Sequence, residues 1–203
     1  MKRLFPLILL CLCFAACSTL PQVRPASQPC PDPFPRGKWQ FVHSIETLVH
    51  GGRSAFVTGV VVVSSRERSL RCVIMTLEGL AVFEAEWDGQ LKVNRAIAPF
   101  DSKLFAQGLI EDIRLLFLRP PGSPLESGIL ENGSSICRYR VPEEGIVDVV
   151  SQEEGRWEIR RYAADFKLLR TLRIAPDTVE LTAHGPRGYK LNMNLLEAVR
   201  IEE

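Results

Sequence analysis

The chain has 203 residues, 46% hydrophobic and 24% charged, the balance of a folded globular protein and too apolar for a disordered one. Its 25 Lys and Arg against 24 Asp and Glu give a net charge of +1, which argues against a nucleic-acid-binding protein, since such proteins carry a surplus of cations. Only three residues are His, so a His-based metal centre has little to use, and neither a metal nor a cofactor is expected.

Residues 1–16 read as a secretory signal. Lys2 and Arg3 form a positive start, Leu4 to Phe14 form an apolar run broken only by Pro6, and Ala15, Ala16 and Cys17 supply a small-residue processing site. As a helix the apolar stretch would reach about 20 Å, short of the roughly 30 Å needed to span a bilayer. Cys17 after Phe14-Ala15-Ala16 resembles the bacterial lipobox, in which the thiol is lipidated and becomes the new amino terminus; an ordinary signal with a coincidental Cys is the alternative. The resemblance implies that Ser18 in the second mature position directs the protein to the outer membrane, lipid-anchored and facing the periplasm. Several acyl chains hold such an anchor without help from the domain.

Residues 17–37 carry Pro21, Pro25, Pro29, Pro31, Pro33 and Pro35 with almost no apolar periodicity, and read as an extended tether. At full extension it would reach roughly 60 Å. One folded domain is expected over 38–203. Cys30, Cys72 and Cys137 remain for an export compartment, where disulfides form. Cys72 and Cys137 both fall in expected strands and could pair. Cys30 could pair instead, and three free thiols is equally open.

Within the domain, residues 39–49 alternate and run into Gly51-Gly52, a hairpin signal, and 53–63 is rich in β-branched residues. Strands follow over 70–77, 80–87 and 90–95, making an antiparallel meander. Leu104, Phe105, Leu109, Ile113, Leu116 and Phe117 then recur at intervals of three and four, the pattern of an amphipathic helix with Asp101 as N-cap and Pro120-Pro121 beyond its end. Six further strands are expected over 134–140, 146–151, 156–163, 166–175, 179–183 and 189–195. The fold class is therefore mainly β (α+β): a curved antiparallel sheet or incomplete β-barrel of about ten or eleven strands with an inserted helix as lid. If the helix covers the concave face incompletely, a hydrophobic cavity remains, the default site for an apolar ligand.

Leu70-Arg71-Cys72-Val73-Ile74-Met75-Thr76-Leu77-Glu78-Gly79-Leu80, Trp87-Asp88-Gly89, Leu109-Ile110-Glu111-Asp112-Ile113-Arg114-Leu115 and Pro120, with an echo at Gly188-Tyr189-Lys190-Leu191, are similar to a little-characterised family of bacterial outer-membrane lipoproteins in the LolA/LolB superfamily of lipoprotein carriers. The resemblance implies an unclosed β-barrel plugged by helix and holding acyl chains or another apolar cargo. Unlike the soluble ferries of that superfamily, this chain carries a lipobox, so it resembles the anchored, receiving partner.

The residues expected to line the cavity are Phe56, Val60, Val62, Ile74, Leu80, Phe83, Trp87, Phe105, Leu109 and Leu116, although such residues are core in nearly any protein and alternation slips by one residue easily. Arg71 and Arg95 flank the meander and could meet a cargo head group. Arg156, Arg160, Arg161, Lys167, Arg170 and Arg173 lie on consecutive strands and could meet lipid phosphates or an acidic partner, but interleaved as they are with acids they read first as a solvated face. No nucleophile elbow, zinc motif or phosphate loop occurs, so an enzyme is not expected. Catalysis, as in a lipid hydrolase, would need His43 or His184 beside Cys72 or a serine; a structural Cys and an edge His are the commoner explanation. The expected function is binding of an acyl-chain or other hydrophobic cargo for envelope lipid or lipoprotein transport. The alternative is a filled barrel that docks onto an envelope protein complex.

Overall fold

The computed structural model describes residues 20–27, 29–49, 53–186 and 188–201; the signal, Cys17 and the Gly51-Gly52 turn lie outside the described residues. In chain order the elements are β1 (Arg24–Pro25), β2 (Lys38–Val49), β3 (Arg53–Ser64), β4 (Ser69–Met75), β5 (Ala81–Trp87), β6 (Leu91–Ala96) and the helix α1 (Lys103–Phe117). Then come β7 (Glu126–Ile129), β8 (Ser135–Val141), β9 (Gly145–Ser151), β10 (Trp157–Tyr162), β11 (Leu168–Ile174), β12 (Thr178–Ala183) and β13 (Tyr189–Ile201).

The strands form one 13-stranded sheet in the order β1-β7-β8-β9-β10-β11-β12-β13-β2-β3-β4-β5-β6. Every pairing is antiparallel, and the end strands β1 and β6 each have one partner, so the sheet is a half-barrel that does not close. The long pair β13–β2 joins its two arms, running from Tyr189 opposite Val49 to Ile201 opposite Lys38 with a bulge after Leu195.

The helix lies on the concave face. Its N-cap is Ser102, one residue after the expected Asp101: the Ser102 Oγ accepts the Phe105 N–H at 3.0 Å. Ala106, Ile110, Ile113, Leu116 and Phe117 are buried against the sheet, and Phe117 stacks on Phe41 of β2 at 4.7 Å.

The proline-rich segment departs from expectation. From Leu20 to Gly37 it is docked on the domain instead of standing free, so the folded unit begins well before residue 38. Val23 packs with Leu130, Ile136 and Val150 on the convex face. The segment then pairs with β7, passing so close to Gly128 that a Cβ there would lie 1.9 Å from the Arg24 carbonyl oxygen. Past that edge, Phe34 is buried in the main core. Proline forbids helix and removes a donor but leaves an extended chain free to pack.

The same course corrects the disulfide. Cys137 is bonded to Cys30, with Cα atoms 5.5 Å apart, and not to Cys72, which is a free, buried thiol. Cys137 on β8 faces the interior beside the sheet edge where the returning segment passes, whereas Cys72 on β4 belongs to the other arm.

Candidate functional site

Alternation decides what β3 offers to the interior. Val61 and Val63 are buried, with Val57 packed against the core on the same face, while Val60 and Val62 point outward and Phe56 is 57% exposed. The expected face was thus wrong by one residue for Phe56, Val60 and Val62, because a run of four valines carries no parity signal. Leu80 is also misplaced: it sits in the β4–β5 turn, 53% exposed.

The remaining expected residues face inward, at three separate places. Ile74, Leu109 and Leu116 line a hollow of about 60 Å³ beneath the helix. Phe83 meets Phe105 edge-on at 5.3 Å near the helix start and borders a recess of about 420 Å³ at the β6 edge. Trp87 packs against the core with the Arg114 guanidinium 4.2 Å from its ring centre. Arg71 and Arg95 are exposed on the outer side of the sheet, Arg71 3.8 Å from Glu86, so neither reaches the hollow. Arg71 lines instead an outer depression of about 890 Å³ together with two of the expected residues, Val62 and Trp87; Leu70 and Leu91 share its lining with Lys38, Glu67, Glu86 and Lys92, so apolar and charged groups alternate there.

The hollow is a consequence of Gly59. This residue faces inward between His43 and Ile74, its partners on the neighbouring strands, and a Cβ there would meet only the far end of Ile45 at 2.8 Å. With β2 and β4 on either side, Leu181, Leu191 and Met193 complete the floor, and Leu109, Ile113 and Leu116 form the roof. Two polar groups break the apolar lining. Burial lowers the His43 pKa, which keeps the imidazole neutral. Burial also pushes the Asp112 carboxyl up, opposed by Arg170 and by hydrogen bonds from Tyr189 and Arg170.

A second recess of about 300 Å³ opens beside the end of the helix, between Pro33 and Pro35 of the docked segment, Trp39 and Phe41 of β2, and the β11–β12 turn. His43, Leu116 and Phe117 line both this groove and the inner hollow, and so form the partition between them.

Ion pairs hold the middle of α1. Arg161 donates to Glu111 at 2.9 Å, Arg170 to Asp112 at 2.8 Å, Tyr189 to the other Asp112 oxygen, and Arg114 to Glu144 at 2.9 Å. Arg161 and Arg170, expected on a solvated face, therefore point inward. The signal lay on the helix: Asp112 falls on the Leu109, Ile113 and Leu116 stripe, and an acid on an apolar face needs a partner. Beyond Arg114 no ion pair holds the last turn among the described residues, where Leu116 and Phe117 make apolar contacts.

Cys72 and His43 line the same hollow from strands either side of β3, but burial pushes the thiol up to about 12, far from a nucleophilic thiolate. No cluster of metal-ligating side chains occurs among the described residues, and no helix there is long and apolar enough to cross a membrane.

The chain matches no protein-family model and no curated protein sequence. By structure it is similar to a LolA superfamily protein from Nitrosomonas europaea, with a TM-score of 0.55 and 11% identity over 84% of this chain and 89% of that one. At that identity the likeness establishes a LolA-like fold.

Proposed function

We propose that the protein is a non-enzymatic carrier or acceptor that takes an acyl chain, or a similarly slender apolar molecule, into its half-barrel. The partition formed by His43, Leu116 and Phe117 carries this reading, because it separates a wider aromatic groove from a narrow apolar hollow by side chains alone. The hollow, about 60 Å³, is well below the roughly 300 Å³ at which ligand sites begin, so an alkyl chain enters only as the partition swings aside. The last turn of α1 is suited to yield, since apolar contacts exchange for apolar contacts with ligand at little cost. The ion-paired middle of the helix stays in place. Each methylene withdrawn from water contributes about 0.8 kcal/mol, so length is read more strongly than head group.

Anchoring follows from the sequence of the leader. Lipidation at Cys17 fixes the chain in the outer membrane, with the domain in the periplasm. Because the Pro21 carbonyl is bound by Arg138 at 3.0 Å, only four Cα–Cα steps separate that fixed point from Cys17, about 14 Å at most and not 60 Å. The domain thus works at the membrane surface, where acyl chains are.

The test is titration of full-length protein in non-ionic detergent with a fluorescent fatty-acid probe. Saturable binding is expected, weakened about tenfold by Gly59→Leu, which fills the hollow, and strengthened for longer chains by Leu116→Ala. Val60→Leu, on the outer face, leaves it unchanged. Absence of saturable binding in the parent protein would overturn the carrier reading in favour of a filled barrel that docks onto an envelope protein.

A further inference from the structure

The side of α1 turned away from the apolar hollow carries a charged recess. Glu111, Arg114 and Leu115 share that helix face, with Leu118 just past the helix end, opposite Leu109, Asp112, Ile113 and Leu116. Arg161 of β10, Glu144 of the β8–β9 turn, Arg119 after the helix and Arg68 of the β3–β4 turn complete it. Four guanidinium groups thus meet two carboxylates, and cations remain in excess even with Asp32, 3.9 Å from Arg119.

The hydrogen bonds in the recess are incomplete in a particular way. Arg161 uses Nη1 on Glu111 and Arg114 uses Nη2 on Glu144, both at 2.9 Å, and Arg68 uses Nη1 on the Arg119 carbonyl at 3.0 Å. The Nε atoms of Arg114 and Arg161 are buried and have no acceptor among the described residues, and they are the buried side-chain polar atoms left so. These two buried Nε–H groups belong to guanidinium groups that each already pair with one carboxylate, Arg161 through the nitrogen away from its Nε and Arg114 through the nitrogen on the same edge, and they call for acceptor oxygens that the described residues do not supply. Water is the plain candidate, yet the surplus positive charge favours an anion, and the arginine fork is matched to oxyanion geometry. About 30 Å³ lies open, close to the share of one water in liquid, so the recess admits the oxygen edge of a small tetrahedral anion and no ring.

We propose that this recess binds a phosphate-type oxyanion, with the Nε–H groups of Arg114 and Arg161 as donors and Arg68 and Arg119 supplying the surrounding field. The phosphate can be free or the head group of an anionic lipid. This site does not depend on the apolar hollow, and it stands or falls whether or not the hollow takes a ligand. Because Arg114 and Arg161 also hold α1, an oxyanion here braces the middle of the helix.

The Nε–Hε signals of Arg114 and Arg161 in a nitrogen–proton correlation spectrum of full-length protein in non-ionic detergent test this directly. Titration with inorganic phosphate is expected to shift both signals saturably in the millimolar range. Arg161→Lys keeps a cation for Glu111 but removes the Nε–H, and is expected to weaken phosphate about tenfold or more, as judged from the Arg114 signal. Arg114→Lys serves in the same way, read from Arg161, should the first variant fold poorly; Arg71→Lys on the outer face leaves the affinity unchanged. In a phosphate-free buffer, bicelles containing phosphatidylglycerol are compared with bicelles of phosphatidylcholine alone. Shifts with phosphatidylglycerol only support the site and assign a lipid head group. Signals that move with neither probe, or that drift without saturation and equally in the lysine variants, overturn the proposal and leave the two donors to water.

Discussion

The two arms of the sheet are built differently. In β8, β9 and β10 most residues are buried and only Arg140 is exposed, because α1 covers one face and the docked segment from Leu20 to Pro25 covers part of the other. In that arm Arg138 lies between Asp148, held at 2.7 and 2.9 Å, Glu126 at 2.8 Å and the Pro21 carbonyl, and the Cys30–Cys137 bond fixes the segment to the sheet. The β3–β5 arm alternates between buried and solvated positions, β6 is almost wholly exposed, and the hollow under Gly59 lies here. A doubly covered arm is a frame; a singly covered arm beside a missing side chain is where the molecule can change shape.

The sharpest way to break that contrast is to release the frame. Replacing Cys30 and Cys137 by Ser removes a link between residues 107 apart and should cost about 4 kcal/mol in a urea melt, with the Leu20–Gly37 segment opened to protease. Loss of under about 1 kcal/mol would mean that the segment holds itself in place. Next in size, Asp148→Asn leaves Arg138 buried without its main partner and should cost about 3 kcal/mol. The corresponding change in the other arm, Glu86→Gln beside exposed Arg71, should stay within about 0.5 kcal/mol. Similar losses at the two sites would contradict the difference between the arms.

Within the β3–β5 arm, Val61→Ala should cost about 2 kcal/mol and Val60→Ala well under 1, since one faces the interior and the other does not. Reversal of that order would restore the opposite face of β3. The smallest effect is a pH dependence. His43 has a lowered pKa in the folded chain, so its contribution to stability is fully present above the unfolded value of 6.5 and is lost as pH falls through it toward the folded value. Denaturation midpoints between neutral pH and about pH 5 should fall less steeply for His43→Leu than for the parent protein. Parallel curves would show that His43 meets water.

Much of this fold can be read from residue order, for local reasons. The α1 stripe from Phe105 to Phe117 repeats at helical spacing, and Asp88-Gly89 closes a hairpin where a positive φ is needed at Gly89. What escapes such reading depends on contacts distant in sequence. The segment from Leu20 to Gly37 has the composition of a tether, and only Phe34, a lone aromatic among prolines, marks it as docked. Strand β7 is four residues of Glu-Ser-Gly-Ile and is made a strand by its neighbours. Of the cavity residues, Ile74, Leu109 and Leu116 could be read from spacing, whereas Phe56, Val60 and Val62 could not, because valine satisfies either face. His43, Gly59 and Phe117 were absent from that expectation: a buried His on an alternating strand, a Gly in mid-strand and an aromatic closing a helix are the signals that could have found them.

The central claim, that the half-barrel holds an apolar molecule behind the His43–Leu116–Phe117 partition, is tested most directly by native mass spectrometry of full-length protein isolated from cell envelopes, with solvent extraction of what is bound. The predicted result is about one apolar molecule per chain, absent from protein carrying Gly59→Leu. Repeated recovery of the parent protein at the mass of the processed chain alone, indistinguishable in occupancy from the Gly59→Leu variant, would contradict it.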